Sequence, residues 1–243
     1  GQVNYHALQS SLQHALSNGL TFNVNYTYSK AIGNIFGVRS AYRGELDKSI
    51  SNTDMPHVFN AFASYDLPFG KGRKFNSDNG VVNALIGGWS MSIIHRFASG
   101  TPLGPFVGAA CSVGSMGTCY ANYNPAFTGS AQISDIATAV TNGTSFIDRN
   151  AFVNAAAFTY GNTPVLGAFG LRNMQLSNTD LSLSRKFQIR ENLRFTFGAD
   201  GFNIFNQTRF GSINTNITSA AFGRPTAQTN LPRVFQFKFR LEM

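Results

Sequence analysis

No run of about 18 apolar residues occurs in this chain, which excludes a helical membrane span. The nearest approach, Val81 to Trp89, is short and broken by Asn83, Gly87 and Gly88. Catalytic signatures are lacking too: there is no G-x-S-x-G elbow, no H-E-x-x-H, no Walker loop and no G-x-G-x-x-G opening a helix. Gly70-Lys71-Gly72 lacks the glycine spacing and the following Ser/Thr of a phosphate loop. Cysteine is nearly absent. Cys111 and Cys119 are the only two, in a Gly/Ser-rich stretch, and without neighbouring His they cannot complete a tetrahedral zinc site. They read either as a loop disulfide, if the chain is exported, or as free thiols. His6, His14, His57 and His95 are dispersed, and Asp54, Asp66 and Asp148 show no paired spacing. An enzyme is therefore not expected, and neither is a metal or cofactor. No start Met, basic segment or apolar leader precedes Gly1, so the expectation is a fragment or a processed product.

Charge is also scarce, at 12% of residues with a formal net charge of +8. The basic residues are scattered. Lys71, Arg73 and Lys74 form the one tight cluster and lack interleaved stacking aromatics, so they read as a solvated turn and no nucleic-acid partner is expected. What the chain has in abundance is aromatic and turn-forming residues, with 23 Phe, 8 Tyr and 24 Gly. Phe and Tyr favour strands and Gly favours turns, so the bias is all-β.

Period-two alternation supplies the strands. Leu20, Phe22, Val24, Tyr26 and Tyr28 alternate with Thr21, Asn23, Asn25 and Thr27; Leu8, Leu12 and Leu16 share a parity across Tyr5 to Leu16, and Ser17-Asn18-Gly19 joins the two segments as a hairpin. A third strand runs from about His57 to Leu67, with Phe62 out of pattern. A fourth runs from Trp89 to Phe97, with Ile94 and His95 as exceptions. The fifth spans roughly Leu176 to Phe187. The sixth begins at Leu193 and switches apolar parity after Ala199, where Gly201 suggests a bulge. The seventh, Arg233 to Met243, has the strongest alternation: Phe235, Phe237, Phe239, Leu241 and Met243 against Gln236, Lys238, Arg240 and Glu242.

The connections alternate in length, with short or intermediate ones (17–19, 68–88, 188–192) between long ones (32–56, 98–175, 207–232). Outer-membrane barrels have this asymmetry, with short periplasmic turns and long external loops. Strands of about ten residues match the length a tilted barrel strand needs. A soluble sandwich explains the alternation but not the one-sided loops. The polar parity fits a hydrated lumen. His14, His95 and Arg185 fall on the apolar parity, where His14 and Arg185 lie near the periplasmic end and His95 is out of place. Tyr5, Tyr28, Tyr65 and Trp89 lie near strand ends and read either as an interfacial girdle or as ordinary packing. The 98–175 loop reads either as ligand-contacting or as a mobile surface loop.

Several strings together resemble the C-terminal barrel region of TonB-dependent receptors, in the Oar-like group that carries a carboxypeptidase-regulatory-like domain. They are Asn25-Tyr26-Thr27-Tyr28-Ser29-Lys30-Ala31, Leu67-Pro68-Phe69-Gly70-Lys71-Gly72, Gly87-Gly88-Trp89, Ser99-Gly100-Thr101-Pro102, Asp180 to Phe187, and Phe202-Asn203-Ile204-Phe205-Asn206. The last strand also looks like the assembly signal of outer-membrane proteins, with Met243 where Phe or Trp is usual. The resemblance implies a 22-stranded barrel with an N-terminal plug and uptake powered through a TonB box, neither of which is in this sequence.

The expected fold is accordingly an antiparallel transmembrane β-barrel segment of about seven meandering strands. Residues 1–243 would form the C-terminal part of one barrel domain, an open sheet with two raw edges when isolated. The expected function is wall and external loops of a TonB-dependent transporter in a Gram-negative outer membrane. Its partners would be outer-membrane lipid and lipopolysaccharide, the barrel-assembly machinery through the last strand, and TonB only through the missing N-terminal region. A passive structural or adhesive barrel, or a soluble all-β binding module, are the alternatives.

Overall fold

The computed structural model describes residues 1–34, 39–40, 42–76, 79–108, 119–190 and 192–242. The strands are β1 (Val3–Ser17), β2 (Leu20–Gly33), β3 (Ser49–Ile50), β4 (His57–Asp66), β5 (Trp89–Ala98), β6 (Asn122–Tyr123), β7 (Phe152–Val153), β8 (Leu176–Arg190), β9 (Leu193–Phe202), β10 (Phe210–Ile213), β11 (Pro225–Gln228) and β12 (Val234–Glu242). Two short helices, α1 (Gly80–Ile86) and α2 (Ile136–Asn142), interrupt the connections. No described helix is long and apolar enough to cross a membrane.

One sheet dominates, in the order β1-β2-β4-β5-β8-β9-β12, with β3 added beside β2. Every neighbouring pair is antiparallel, so the wall is a meander in which each strand hydrogen-bonds the next long strand. Among the described residues, both edges, β1 and β12, have no further strand beside them. The first hairpin closes on Asn18 (φ 51°) and Gly19 (φ 81°); two successive positive φ values match the right-handed twist of the strands they join, and Asn-Gly takes them at least cost.

The register aligns the apolar parities into one continuous face. Leu12 pairs with Val24, Val24 with Ala61, Ala61 with His95 and His95 with Thr179. Further along, Met91 pairs with Leu183, Leu183 with Ala199 and Ala199 with Phe237. Between β8, β9 and β12 the rings form a ladder, with centroids of Phe187–Phe195 5.8 Å, Phe195–Phe239 6.3 Å and Phe197–Phe237 6.3 Å apart. From Leu20 to Tyr28 the apolar run covers about 26 Å of strand at roughly 3.3 Å per residue. Tilted by about 40°, that is roughly 20 Å of height, close to the apolar band of an outer-membrane barrel.

The opposite face is polar and cross-linked by side chains. Ser90 Oγ donates to Asp66 Oδ1 at 2.8 Å, Ser92 Oγ to Ser64 Oγ at 2.9 Å, and Ser182 Oγ to Asp200 Oδ1 at 2.6 Å. Lys238 Nζ donates to both Asp200 carboxylate oxygens at 2.9 Å.

The residues out of pattern find partners. Phe62 and Ile94 stand opposite one another on the polar face, both still exposed. His95, on the apolar face, has Nδ1 2.8 Å from Thr179 Oγ1, its cross-strand neighbour. His14 stacks on Phe22 at 5.3 Å near the first hairpin turn.

Two expectations are corrected. No bulge forms at Gly201: β9 keeps continuous register with both neighbours there, Gly201 opposing Leu181 and Phe235. The parity switch arises because the strand ends at Phe202 and Asn203 (φ 51°) turns the chain away. Irregularities fall instead between His14 and Ser17 and between Gln188 and Arg190, beside the tight turns. Tyr28, at the outer end, and Tyr65 and Trp89, at the opposite end, share the apolar face, but Tyr5 opposes Ala31 on the other parity and is not on that face.

Candidate functional site in the external cap

The three long connections, 34–56, 99–175 and 203–233, leave the same end of the wall and fold there into a cap. Apart from Ala31 and Ala98, at the outer ends of β2 and β5, every buried apolar side chain among the described residues lies in these connections. Phe106 is fully buried and stacks on Phe152 at 4.4 Å; Phe222, from the third connection, closes edge-on against Phe152 at 5.9 Å. Phe169 adds an edge contact to Phe152 at 5.4 Å and Tyr123 one to Phe169 at 4.6 Å. The described residues of these connections thus form an organised layer with a shared dry core. Their backbone is organised by the β6–β7 and β10–β11 pairs and by α2. Asp135 caps α2, accepting from Thr138 N at 2.8 Å and Thr138 Oγ1 at 2.6 Å.

Three arginines join the connections to one another. Arg39 Nε pairs with Asp47 Oδ1 at 3.1 Å, both side chains 3% exposed, and Arg39 Nη1 donates to the carbonyls of Gly161 and Thr163 at 3.2 and 3.0 Å. Its Nη2 donates to the Leu46 carbonyl, and the guanidinium lies 4.7 Å from the centre of the Tyr120 ring. Arg172 Nη2 donates to Asp54 Oδ2 at 2.7 Å and its Nη1 to the Gly100 carbonyl at 3.0 Å, while Asp54 Oδ1 accepts from Ala31 N at 2.7 Å. Arg149 donates to the carbonyls of Ile217 and Ser219 and lies over the Phe222 ring at 5.4 Å. A planar guanidinium with five donors suits this role, because it satisfies several loop carbonyls at once. Gly100 is required at its junction: a Cβ there would lie 1.7 Å from the Asn173 carbonyl oxygen.

Two clefts open where cap and wall meet. One, of about 390 Å³, lies at the outer ends of β8, β9 and β12 and is lined by Asn178, Asp180, Phe202, Asn203, Leu231 and Val234 among others. Asp180, Phe202 and Val234 are on the polar parity, so this cleft faces the lumen side. The second, of about 470 Å³, lies beneath α2, with Ser99, Gln132, Asp135, Arg172, Asn173 and Gln175 as its polar lining and Ile136, Phe146 and Met174 as its apolar part. Amides, hydroxyls and one arginine beside apolar surface suit binding and orientation of a polar solute. Among the described residues no group of three or more His, Cys, Asp or Glu could hold a metal ion.

Burial pushes the Tyr120 phenol above its ordinary range, with the Arg39 guanidinium opposing; burial also raises Tyr123. Both stay neutral donors at physiological pH. The Thr138 hydroxyl and amide hold the Asp135 carboxyl below the usual range, and the Arg43 guanidinium does the same for Glu45.

Cys111 lies outside the described residues, and with it the bridge expected to Cys119. Met243 also lies outside them. Phe235, Phe237, Phe239 and Leu241 line the apolar face of β12, each more than half exposed. Lys71, Arg73 and Lys74 are exposed, Arg73 lying 3.7 Å from Asp66 and Lys74 5.6 Å from the Phe75 ring centre. The arginine staples carried no periodic signal in the sequence; the single hint was basic residues within long, otherwise weakly charged connections.

The model of the family described as outer membrane beta barrel domain matches residues 1–236. No curated protein matches the chain, and no solved structure does.

Proposed function

We propose, from the premise that this chain belongs to the outer membrane beta barrel domain family, that it forms wall and external loops of a TonB-dependent transporter in the outer membrane of a Gram-negative cell. The observation that carries this reading is the sheet's division into one apolar and one polar face, with two edges that, among the described residues, have no further strand beside them. Seven strands cannot close as an even antiparallel barrel; a wall with further strands encloses an aqueous lumen, and a lumen wide enough to be useful needs control at its mouth. The cap, with its lumen-side cleft, stands at that mouth. The strings resembling the Oar-like group add the specific expectation of an energised receptor.

In this reading the apolar face contacts lipid, the cap contacts lipopolysaccharide and solute, and the last strand is what the assembly machinery engages. TonB would act through a region outside this sequence, and no chemistry is performed on the solute. Disrupting the full gene and comparing uptake of a solute panel with and without TonB tests the proposal. Loss of uptake of one solute class in both strains is expected. Uptake by the intact strain that persists without TonB contradicts energised transport and favours a passive barrel.

A further inference from the structure

The 67–88 connection is the longest at the end of the wall opposite the cap, and the transport reading leaves it without a role. Its helix α1 places Val81, Val82, Leu85 and Ile86 on an arc of about 140°, at roughly 100° per residue. All four are exposed, Val81 at 67% and Leu85 at 65%. The other side of the helix packs on the adjoining turn, where the backbones of Gly70 and Gly87 touch. The apolar arc therefore faces away from the protein.

What fixes its surroundings is the attachment of its C-terminal end. The Leu85 carbonyl accepts from Trp89 Nε1 at 3.2 Å and from Arg185 Nη1 at 2.9 Å. Trp89 and Arg185 are cross-strand partners on the apolar parity of β5 and β8, the side shared with Met91, Leu183 and Phe187. Arg185 is 7% exposed, and its guanidinium lies 4.2 Å from the Phe187 ring centre and 5.5 Å from that of Trp89. Its Nε alone, among buried side-chain nitrogens and oxygens of the described residues, has no hydrogen-bond partner. An arginine and a tryptophan on a lipid-facing surface belong at the headgroup level, where each keeps an apolar body in the chains and a polar tip at the water boundary.

We infer that α1 is an interfacial anchor: it lies along the inner leaflet of the outer membrane, its Val81-Val82-Leu85-Ile86 arc among phospholipid acyl chains. Trp89 and Arg185 latch it to the wall at headgroup depth. Lys71 and Lys74, in the adjoining turn, face the phosphate groups, while Arg73 lies 3.7 Å from the Asp66 carboxylate. Continuity with the lipid-facing wall is the reason to choose lipid over a protein partner, since any strand or plug completing the barrel lies at the sheet edges or on its polar face. Interfacial amphipathic helices bind membranes through such buried apolar area together with charge attraction. The inference rests on the outer-membrane assignment and is independent of TonB.

Spin labels at Val81, Leu85 and Asn83 of the full-length protein, reconstituted in phospholipid bilayers, test it with oxygen and a water-soluble nickel chelate as relaxing agents. A label at Phe237 serves as the wall reference. Labels at Val81 and Leu85 are expected to show the lipid-type accessibility of Phe237, and the one at Asn83 not to. In V81E/L85E the helix is expected to move to aqueous accessibility while Phe237 keeps its lipid signature. Aqueous exposure of Val81 and Leu85, or shielding from both agents, with Phe237 in lipid would overturn the anchor alone. Aqueous exposure of Phe237 as well would overturn the membrane assignment beneath it.

Discussion

Phenylalanine is used in two opposite ways in the wall and in the cap. Phe237 in β12 is 64% exposed, whereas Phe106 in the cap is fully buried against Phe152. Among the described residues the wall has no second layer, and its apolar face is one of many large side chains standing open; the cap is the only place where they enclose a dry core. A contiguous apolar face of this kind marks an interaction surface rather than a water-facing one. The difference teaches that the two regions call for different media: cap residues leave water by packing on one another, whereas wall residues keep an open apolar face of the kind that lipid covers in an outer-membrane barrel. Polar groups divide accordingly. On the wall they line one face in hydrogen-bonded rows, while in the cap three arginines reach across sequence to loop carbonyls.

Separating the regions by mutation should produce separable losses. The largest effect is expected from Phe106→Ala, about 3–5 kcal/mol for a fully buried aromatic, taken from the cap alone. Limited proteolysis of the full-length protein should then cut within 99–175 while heat-modifiable migration is unchanged. Loss of that migration would mean cap and wall are one cooperative unit. Next comes Leu183→Lys, which places a charge on the lipid face at a cost of about 2–4 kcal/mol near midplane. Urea titration of the folded protein in bilayers should register it, and Ser182→Lys, one residue along on the polar face, should register little. Arg149→Ala is expected to cost about 1–3 kcal/mol, the range for carbonyls deprived of a charged donor. Faster amide exchange at Ile217 and Ser219, with the wall unaffected, is its signature.

The smallest effect concerns Asp135. Its carboxyl titrates lower in the folded cap than in the unfolded chain, so its contribution to α2 is complete above about pH 4, the ordinary Asp range. It fades as pH falls through the lowered value. Amides of Ile136–Asn142 should exchange faster in Asp135→Ala at neutral pH, and the difference from the parent should vanish in strong acid.

The wall was largely legible in the sequence because a strand's alternation is local. Phe235, Phe237 and Phe239 announce a face without any knowledge of what lies opposite, and the tight Asn18-Gly19 turn sets the neighbour's register. Gly201 misled because a parity change reads alike whether the strand bulges or ends. The cap was not legible. Phe106, Phe152 and Phe222 sit in aperiodic segments, and Arg39 meets Gly161 across 122 residues, a pairing that no local pattern encodes. Phe62 and Ile94, each an exception in its own strand, become one feature only when the register sets them opposite.

The most direct test of two media on one sheet is a label scan along β9 in the full-length protein in native outer membranes. Single labels at Phe195, Phe197 and Ala199 are expected to respond to a lipid-dissolved quencher, and those at Arg194, Thr196 and Asp200 to a water-soluble one. Equal aqueous quenching at all six positions would contradict the lipid-facing assignment of the wall.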